Sequence, residues 1–219
     1  MITCVFTSCG RFDLLDITIK SFINHNTLPI EKYIVIDNST KIDAMYHIEK
    51  IVSNLKNVDV IINSENIGQV ASIDKAYSLI TTEYIFHCED DWYFYRSGFM
   101  EKSLEILLDN SMVVNVNIRE RNNGDRGSFH PIDNNELVTK YGVKYFLYSQ
   151  NYLGEWHGFS WNPGLRRKSD YNIIAPYKQY VNEQGVGSKY KELGFRSACL
   201  DMSYCKHIGE GNVTPLSNI

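Results

Sequence analysis

The stretch that decides the fold is YIFHCEDDWYFY, residues Tyr84–Tyr95. An apolar, strand-like run leads directly into three acids, Glu89, Asp90 and Asp91, and four aromatic residues follow. Adjacent carboxylates raise each other's pKa unless a cation neutralises them, and a hard divalent cation bound through oxygen is the usual solution. The alternative is a solvated acidic turn. The apolar strand before the acids and the aromatic residues after them favour the cation site.

Three earlier runs have the same character: Ile2–Thr7, Tyr33–Ser39 and Val58–Ser64. A segment with apolar residues at helical spacing follows each of them. Apolar strands that alternate with helices predict an α/β fold with a mostly parallel central sheet and helices on both faces. Ligands bind beyond the carboxyl ends of such strands. We therefore expect the polar residues that end these strands to converge on one edge of the sheet.

The second half of the chain is less regular. We predict a helix over Ser97–Asp109, a strand over Met112–Ile118, and a long polar loop over 119–136 that could serve as a lid or as an acceptor-binding loop. We also predict a strand over His157–Pro163 and a helix over Tyr177–Gly194.

Length, charge and cysteine content narrow the class of protein. The chain has 219 residues and a formal net charge of −4, whereas proteins that bind nucleic-acid backbones are usually strongly basic. No apolar run approaches the length of a membrane span, and the first nine residues lack the features of a signal peptide. The five cysteines include no CxxC pair, which is typical of free thiols in a reducing compartment. We expect a cytoplasmic protein without a membrane span or a nucleic-acid partner.

Four segments resemble a known family. FTSCGR, YIVIDNST, NIGQVASIDKAYSLITTEYIFHCEDDW and FSWNPGLRR occur in the order found in GT-A glycosyltransferases, the family 2-like enzymes that use nucleotide-sugars. The resemblance covers about residues 1–210. It implies one GT-A domain over 1–219, in which a Rossmann-like half, 1–95, binds the nucleotide-sugar and the remaining half, 96–219, binds the acceptor.

The resemblance also implies roles for the acids. Glu89-Asp90-Asp91 matches the family's DXD-type motif in an EDD form. Asp91 would bind the divalent metal that bridges the donor diphosphate, and Glu89 and Asp90 would face the ribose and the diphosphate. His207 would be a further metal ligand, which favours Mn²⁺ over Mg²⁺. A structural role for His207 is the alternative.

Other donor-binding candidates follow from the same resemblance. Asp37 would accept from a nucleobase N–H, or it would only cap a turn. Thr7 and Ser8 would contact the base or the ribose. Arg11 would reach a phosphate or hold Asp37. The remaining candidates are Asn66 and Gly68, which look like the family's NxG segment; Asn66 could also cap the helix that follows.

Glycosyl transfer needs a base to deprotonate the acceptor hydroxyl. In the family, the catalytic acid lies before a helix that ends in a Gly–aromatic step, which here is Gly194-Phe195 in ELGFR, so the resemblance implies Glu183. The family usually has Asp there, often after another acid, whereas Asn182 precedes Glu183 here. Glu155 is the rival candidate, and a solvated acid is the alternative for either residue.

The expected function is a metal-dependent, inverting hexosyl- or deoxyhexosyltransferase. It would use Mn²⁺ or Mg²⁺, a UDP-sugar in preference to other donors, and a hydroxyl group of a glycan or glycoconjugate as acceptor. Two alternatives stay open: a nucleotidyltransferase with a similar sheet, and a non-catalytic module that binds carbohydrate or a cation.

Overall fold

A computed structural model of the chain describes residues 1–119, 132–133, 135–150 and 157–209. Within these ranges, eleven strands and six α-helices are present. The strands are β1 (Ile2–Ser8), β2 (Lys32–Asp37), β3 (Val58–Ile62), β4 (Tyr84–Glu89), β5 (Trp92–Phe94), β6 (Val113–Asn117), β7 (Leu137–Val138), β8 (Lys144–Leu147), β9 (Gly164–Arg167), β10 (Arg196–Leu200) and β11 (Cys205–His207). The helices are α1 (Phe12–His25), α2 (Ala44–Val52), α3 (Gln69–Ser78), α4 (Phe99–Asp109), α5 (Lys168–Ile174) and α6 (Glu183–Glu192).

Nine of these strands form one sheet in the order β3-β2-β1-β4-β9-β6-β10-β8-β7. Strands β3, β2, β1 and β4 pair in parallel, and so do β6 and β10. Strand β9 lies antiparallel between β4 and β6, and β8 is antiparallel to both β10 and β7. Only β8 and β9 therefore run against the other described strands of this sheet. The predicted α/β class with a mostly parallel sheet is confirmed.

Helices cover both faces of the sheet. One core cluster contains residues of α1, α2 and α4, and the other contains residues of α3, α5 and α6. Successive strand residues divide between the two: Cys4 and Phe6 belong to the first cluster, and Val5 belongs to the second. Side chains alternate across a strand, so a strand that is apolar at every position can bury both faces.

Two predicted elements differ from the structure. Residues 157–163 do not form a strand, and β9 begins only at Gly164. The backbone N–H of Trp161 donates to the side chain of Glu183, and that of Asn162 donates to Ser160 Oγ at 3.1 Å. Because these two backbone N–H groups donate to side chains, they do not form the hydrogen bonds that would pair this segment with a neighbouring strand.

The predicted helix over Tyr177–Gly194 is divided into a 3₁₀ turn, Tyr177–Tyr180, and α6. Val181 separates them with φ 71° and ψ −49°, and Asn182 then begins α6 by accepting from the backbone N–H of Gly185. A side chain at Gly185 would overlap the carbonyl oxygen of Tyr180. Glycine is therefore required where the 3₁₀ turn and the helix meet.

The end of the described chain returns to the acidic stretch. Strand β11 pairs antiparallel with β5, which places His207 opposite Trp92. No helix in the described ranges combines the length and the apolar character that a bilayer span requires. Most of the predicted 119–136 loop lies outside the described residues.

Candidate active site

The polar ends of the first strands lie side by side. In the ladder, Ser8 is paired with Asp37, and Thr7 is paired with Glu89. The backbone N–H of Asn38 donates to Ser8 O at 3.0 Å. Parallel topology thus collects strand-end residues from β1, β2 and β4 at one edge of the sheet, where open α/β sheets bind ligands.

A cavity of about 380 Å³ opens at this edge. It contains every predicted donor-binding residue except Asp37. The residues that line it are Thr7, Ser8, Cys9, Arg11, Asn38, Asn66, Gly68, Gln69, Ser72, Glu89 and Asp90.

Asp37 is fully buried and supports the cavity wall from behind. Its carboxylate accepts from the backbone N–H of Gly10 at 2.8 Å, and from Ser39 through the backbone N–H at 2.9 Å and through Oγ at 2.5 Å. Gly10 has φ 74°, in the left-handed region that favours glycine. Asp37 therefore holds the turn that follows β1.

Arg11 contacts the acids rather than Asp37, which corrects one of its two expected roles. Its Nη1 donates to Asp91 Oδ2 at 2.7 Å and its Nε to Asp90 Oδ2 at 3.3 Å, while Nη2 pairs with Asp90 Oδ1. The backbone N–H of Cys9 also donates to Asp90 Oδ2, at 3.3 Å. A guanidinium thus supplies the positive charge that adjacent carboxylates need.

The three acids differ in pKa because their surroundings differ. Burial and the neighbouring carboxylates raise the pKa of Glu89 to about 8. Burial raises the pKa of Asp90 to about 6, although Arg11 opposes the shift. Burial also acts against ionisation of Asp91, but hydrogen bonds and charge from His207 and Arg11 outweigh it and lower its pKa. Asp91 is therefore the most readily ionised of the three.

An amide network shapes the wall opposite the acids. Asn38 Oδ1 accepts from Asn63 Nδ2 at 3.1 Å and from the backbone N–H of Ile67 at 3.0 Å, and its Nδ2 donates to Asn66 Oδ1 at 2.6 Å. Asn66 Oδ1 also accepts from the backbone N–H of Gly68 at 3.0 Å. Gly68 has φ 84° and precedes α3, so the backbone N–H groups that begin this helix lie beside the cavity.

Asp91 and His207 meet at the rim of this site. Asp91 Oδ2 lies 3.0 Å from His207 Nε2, while Asp91 Oδ1 is buried without a hydrogen-bond partner among the described residues. A side chain at Gly209 would come within 2.5 Å of Asp91 Oδ2, so the backbone packs closely here. The described residues contain no group of three or more His, Cys, Asp or Glu that could hold a metal ion. A carboxylate with a free oxygen beside an imidazole is a donor set that fits a divalent cation whose other ligands are water or phosphate oxygens.

A second cavity, of about 550 Å³, adjoins the first. Glu89 and Gln69 line both, and Gln69 Nε2 donates to Glu89 Oε1 at 2.7 Å. The other residues that line the second cavity are Val70, Trp161, Asn162, Val181, Asn182, Glu183 and Gln184.

Glu183 is the first residue of α6 and is held by the segment before β9. Its Oε1 accepts from Ser160 Oγ at 3.0 Å and from the backbone N–H of Trp161. Burial raises the pKa of Glu183 despite these bonds. A carboxylate in a cavity with a raised pKa is suited to accept a proton. The rival candidate, Glu155, lies outside the described residues.

Several cavity residues were not among the sequence candidates. Asn38 directly follows β2, and Gln69 is the first residue of α3; these positions at the carboxyl edge of a parallel sheet are the signal that could have identified them. Val181 and Gln184 carried no comparable signal, because the break before α6 is a tertiary feature.

A comparison with models of protein families places this chain in a family. The model for "Glycosyl transferase family 2" matches residues 3–173. The sequence has no significant match among curated proteins.

The solved structures that are similar in fold include the following three. The mannosyltransferase PcManGT from Pyrobaculum calidifontis, in complex with GDP-Man and Mn²⁺, has a TM-score of 0.66 and 10% identity over 92% of this chain and 54% of its own. GalNAc-T7 with UDP, GalNAc and Mn²⁺ has a TM-score of 0.70 and 12% identity over 100% and 46%, respectively. S. aureus TarS in complex with UDP has a TM-score of 0.64 and 14% identity over 94% and 60%. The chain thus spans roughly half to three fifths of these proteins.

Proposed function

Because the chain belongs to glycosyl transferase family 2 and has the GT-A fold, we propose that it transfers a sugar from a nucleotide-sugar to a hydroxyl group of a glycan or glycoconjugate. The observation that carries this proposal is the pair of adjoining cavities. They share Glu89 and Gln69; Asp90 also lines the first cavity, and Glu183 also lines the second. Two substrates could therefore meet at the shared wall.

The smaller cavity is the proposed donor site, within the nucleotide-sugar-binding half, residues 1–95. Thr7, Ser8, Asn66 and Gly68 would surround the nucleoside, with Asp37 supporting them from behind. We favour UDP. Two of the similar structures contain UDP and one contains GDP-Man, so the fold itself is compatible with more than one base.

Asp91 and His207 would hold Mn²⁺, or Mg²⁺ in its place. Two of the similar structures contain Mn²⁺. When bound, the cation would neutralise charge on the departing nucleoside diphosphate. The unpartnered Asp91 Oδ1 supports this assignment. The guanidinium of Arg11 lies on the cavity wall. With the donor bound, it would pair either with Asp90 and Asp91 or with the diphosphate.

The larger cavity is the proposed acceptor site; six of its lining residues lie within 96–219, and Gln69, Val70 and Glu89 come from the donor-binding half. Glu183 would accept the proton of the acceptor hydroxyl as that oxygen attacks the anomeric carbon from the face opposite the diphosphate, which inverts the configuration. The hydrogen bonds to Oε1 support this role, because they orient the carboxyl group. Glu155 remains the second candidate for the base.

The test is a screen of UDP-, GDP- and dTDP-sugars for hydrolysis or transfer, with and without Mn²⁺. We expect UDP-sugar turnover that requires metal and falls at least a hundredfold in Asp91→Ala. Asp59→Ala is the matched control, because Asp59 lies in β3 away from its carboxyl end and pairs with Lys32 instead. Turnover of no nucleotide-sugar would contradict the proposed function. Full metal-dependent turnover in Asp91→Ala would contradict the metal assignment.

A further inference from the structure

Arg166 is a charged side chain that the proposed reaction does not yet use. It lies in β9 and is 1% exposed. Its Nη2 donates to Ser160 O at 3.1 Å, while Nε and Nη1 have no hydrogen-bond partner among the described residues. Burying an arginine is costly unless its charge is compensated. The residue therefore needs an explanation beyond packing.

Aromatic rings fix the position of this guanidinium. Its Cζ lies 5.3 Å from the ring centroid of Phe159 and 5.9 Å from that of Trp161. Trp161 in turn packs against Tyr177, with ring centroids 5.1 Å apart. Together with the bond to Ser160 O, these contacts hold the 159–161 segment from its buried side.

The same segment holds Glu183 from its other side. Ser160 uses its carbonyl oxygen for Arg166 and its hydroxyl group for Glu183, and the backbone N–H of Trp161 also donates to Glu183. Ser160 thus connects the guanidinium of Arg166 to the carboxylate of Glu183 through two hydrogen bonds. A displacement of Arg166 would move both donors to Glu183.

We propose that Arg166 is a positioning residue for Glu183, which sets the orientation of its carboxyl group through Ser160 and Trp161 and favours its ionised form through charge. This inference rests on the proposed role of Glu183 as the base. Arg166 does not touch either cavity, so it acts through other groups.

The charges that face Glu183 come from three elements. Glu89 in β4 carries a like charge when it is ionised, while Arg166 in β9 and Arg119, which follows β6, carry the opposite charge. Burial raises the pKa of Glu183, and both arginines oppose that shift. A base must be ionised to accept a proton, so the buried charge of Arg166 supports the state that the reaction needs.

Two substitutions separate charge from geometry. Arg166→Gln removes the charge and retains an N–H that can reach Ser160 O. When kcat/KM is plotted against pH at saturating Mn²⁺, the rise on the acidic side, here called the acid limb, should move to higher pH. At pH values below this rise, kcat/KM should therefore fall about tenfold more than at pH values above it. Arg166→Lys keeps the charge but loses the planar group. We expect its limb to stay in place while kcat on the plateau falls about tenfold.

Arg167→Gln is the matched control. Arg167 is the next residue in β9, and its guanidinium donates to the carbonyl oxygens of Leu107, Ser111 and Val113. Its loss should lower the melting temperature without moving the limb. A second readout is independent of turnover: the side-chain carboxyl ¹³C resonance of Glu183, identified by its absence in Glu183→Gln, should titrate at higher pH in Arg166→Gln.

The outcomes distinguish the two proposals. Full transfer activity in Glu183→Gln would contradict the base assignment itself. Loss of activity in that variant, together with an unmoved limb and an unmoved ¹³C titration in Arg166→Gln, would overturn only the role of Arg166. If Arg166→Gln does not fold, Arg166→Lys provides the test. A lower plateau value of kcat with an unmoved acid limb supports the inference, and a wild-type plateau value of kcat overturns it.

Discussion

Glu89, Asp90 and Asp91 are neighbours in the chain but occupy different environments. Asp90 and Asp91 share Arg11, Asp91 alone lies against His207, and Glu89 accepts from Gln69 on the wall between the cavities. Burial and the neighbouring carboxylates raise the pKa of Glu89 to about 8, whereas the contacts with His207 and Arg11 lower that of Asp91. The raised pKa of Glu89 favours its neutral form, which weakens its repulsion of Asp91.

At Glu183, the raised pKa has a consequence for stability. The unfolded chain ionises this residue first, from about pH 4.3 upwards, so Glu183 lowers the free energy of unfolding as pH rises above that value. Glu183→Gln keeps an oxygen acceptor for Ser160 and Trp161 but cannot ionise. We expect its melting temperature to exceed that of wild type at pH 8, with a gain that disappears towards pH 4. A gain independent of pH would contradict this account.

Val181 is strained at the mouth of the larger cavity. It is 79% exposed and has φ 71°, and the backbone N–H of Asn182 donates to Tyr180 O at 2.8 Å across it. This is a γ-turn, which is unfavourable for a β-branched residue. We expect Val181→Gly to raise the free energy of unfolding by about 1 kcal/mol in urea titrations. Val181→Ala keeps a Cβ and should gain less; an equal or larger gain for alanine would argue against backbone strain.

Helix α6 depends on glycine at one position and only tolerates it at another. A Cβ at Gly185 would overlap Tyr180 O, whereas a Cβ at Gly187 would lie 3.4 Å from Phe159 Cβ. We expect Gly185→Ala to lower the free energy of unfolding by at least about 2 kcal/mol and to reduce activity, because the helix start that carries Glu183 must shift. Gly187→Ala is the control in the same helix.

The control should change the free energy of unfolding by less than about 1 kcal/mol, since alanine favours the helix. Chemical denaturation of both variants measures the difference. Equal losses would mean that the contact with the 3₁₀ turn does not determine where α6 begins.

The arrangement of the nine-stranded sheet connects the two cavities. Strand β4 carries Glu89 to the shared wall, and β9, paired directly with β4, carries Arg166 behind Glu183. The small β5–β11 sheet adds His207 to the same edge. Ligands at this edge would therefore stabilise contacts between the two halves of the chain.

For the whole molecule, we expect UDP and Mn²⁺ together to raise the melting temperature more than the sum of their separate effects. A ligand at a hundred times its Kd adds about 2.7 kcal/mol to the free energy of unfolding. Thermal denaturation of wild type and Asp91→Ala, with each ligand alone and with both, measures this. The Asp91→Ala variant should lose the joint effect; its persistence would contradict the proposed metal site.

The local pattern of the sequence determined the first half of the fold. Each of the first four strands is apolar at nearly every position, and a segment with helical spacing follows each of the first three, so both the element order and the convergence of Ser8, Asp37 and Glu89 could be predicted. The resemblance to the family directed attention to Asp91 and His207. The predictions of element order and of strand-end convergence succeed because periodicity is encoded within a few residues and parallel topology aligns the strand ends.

Only the tertiary structure decided which partners meet across the chain. Arg11 pairs with acids about 80 residues away, β11 with β5 across more than 100, and Ser160 with Glu183 across 23. Such contacts have no local signature, since they depend on how the sheet is ordered and on where its helices pack. At 157–163 the backbone N–H of Trp161 donates to the side chain of Glu183, 22 residues away, instead of to a neighbouring strand. At Val181 the predicted helix is interrupted locally, since the backbone N–H groups of Val181 and Asn182 donate to the carbonyl oxygens of Lys178 and Tyr180.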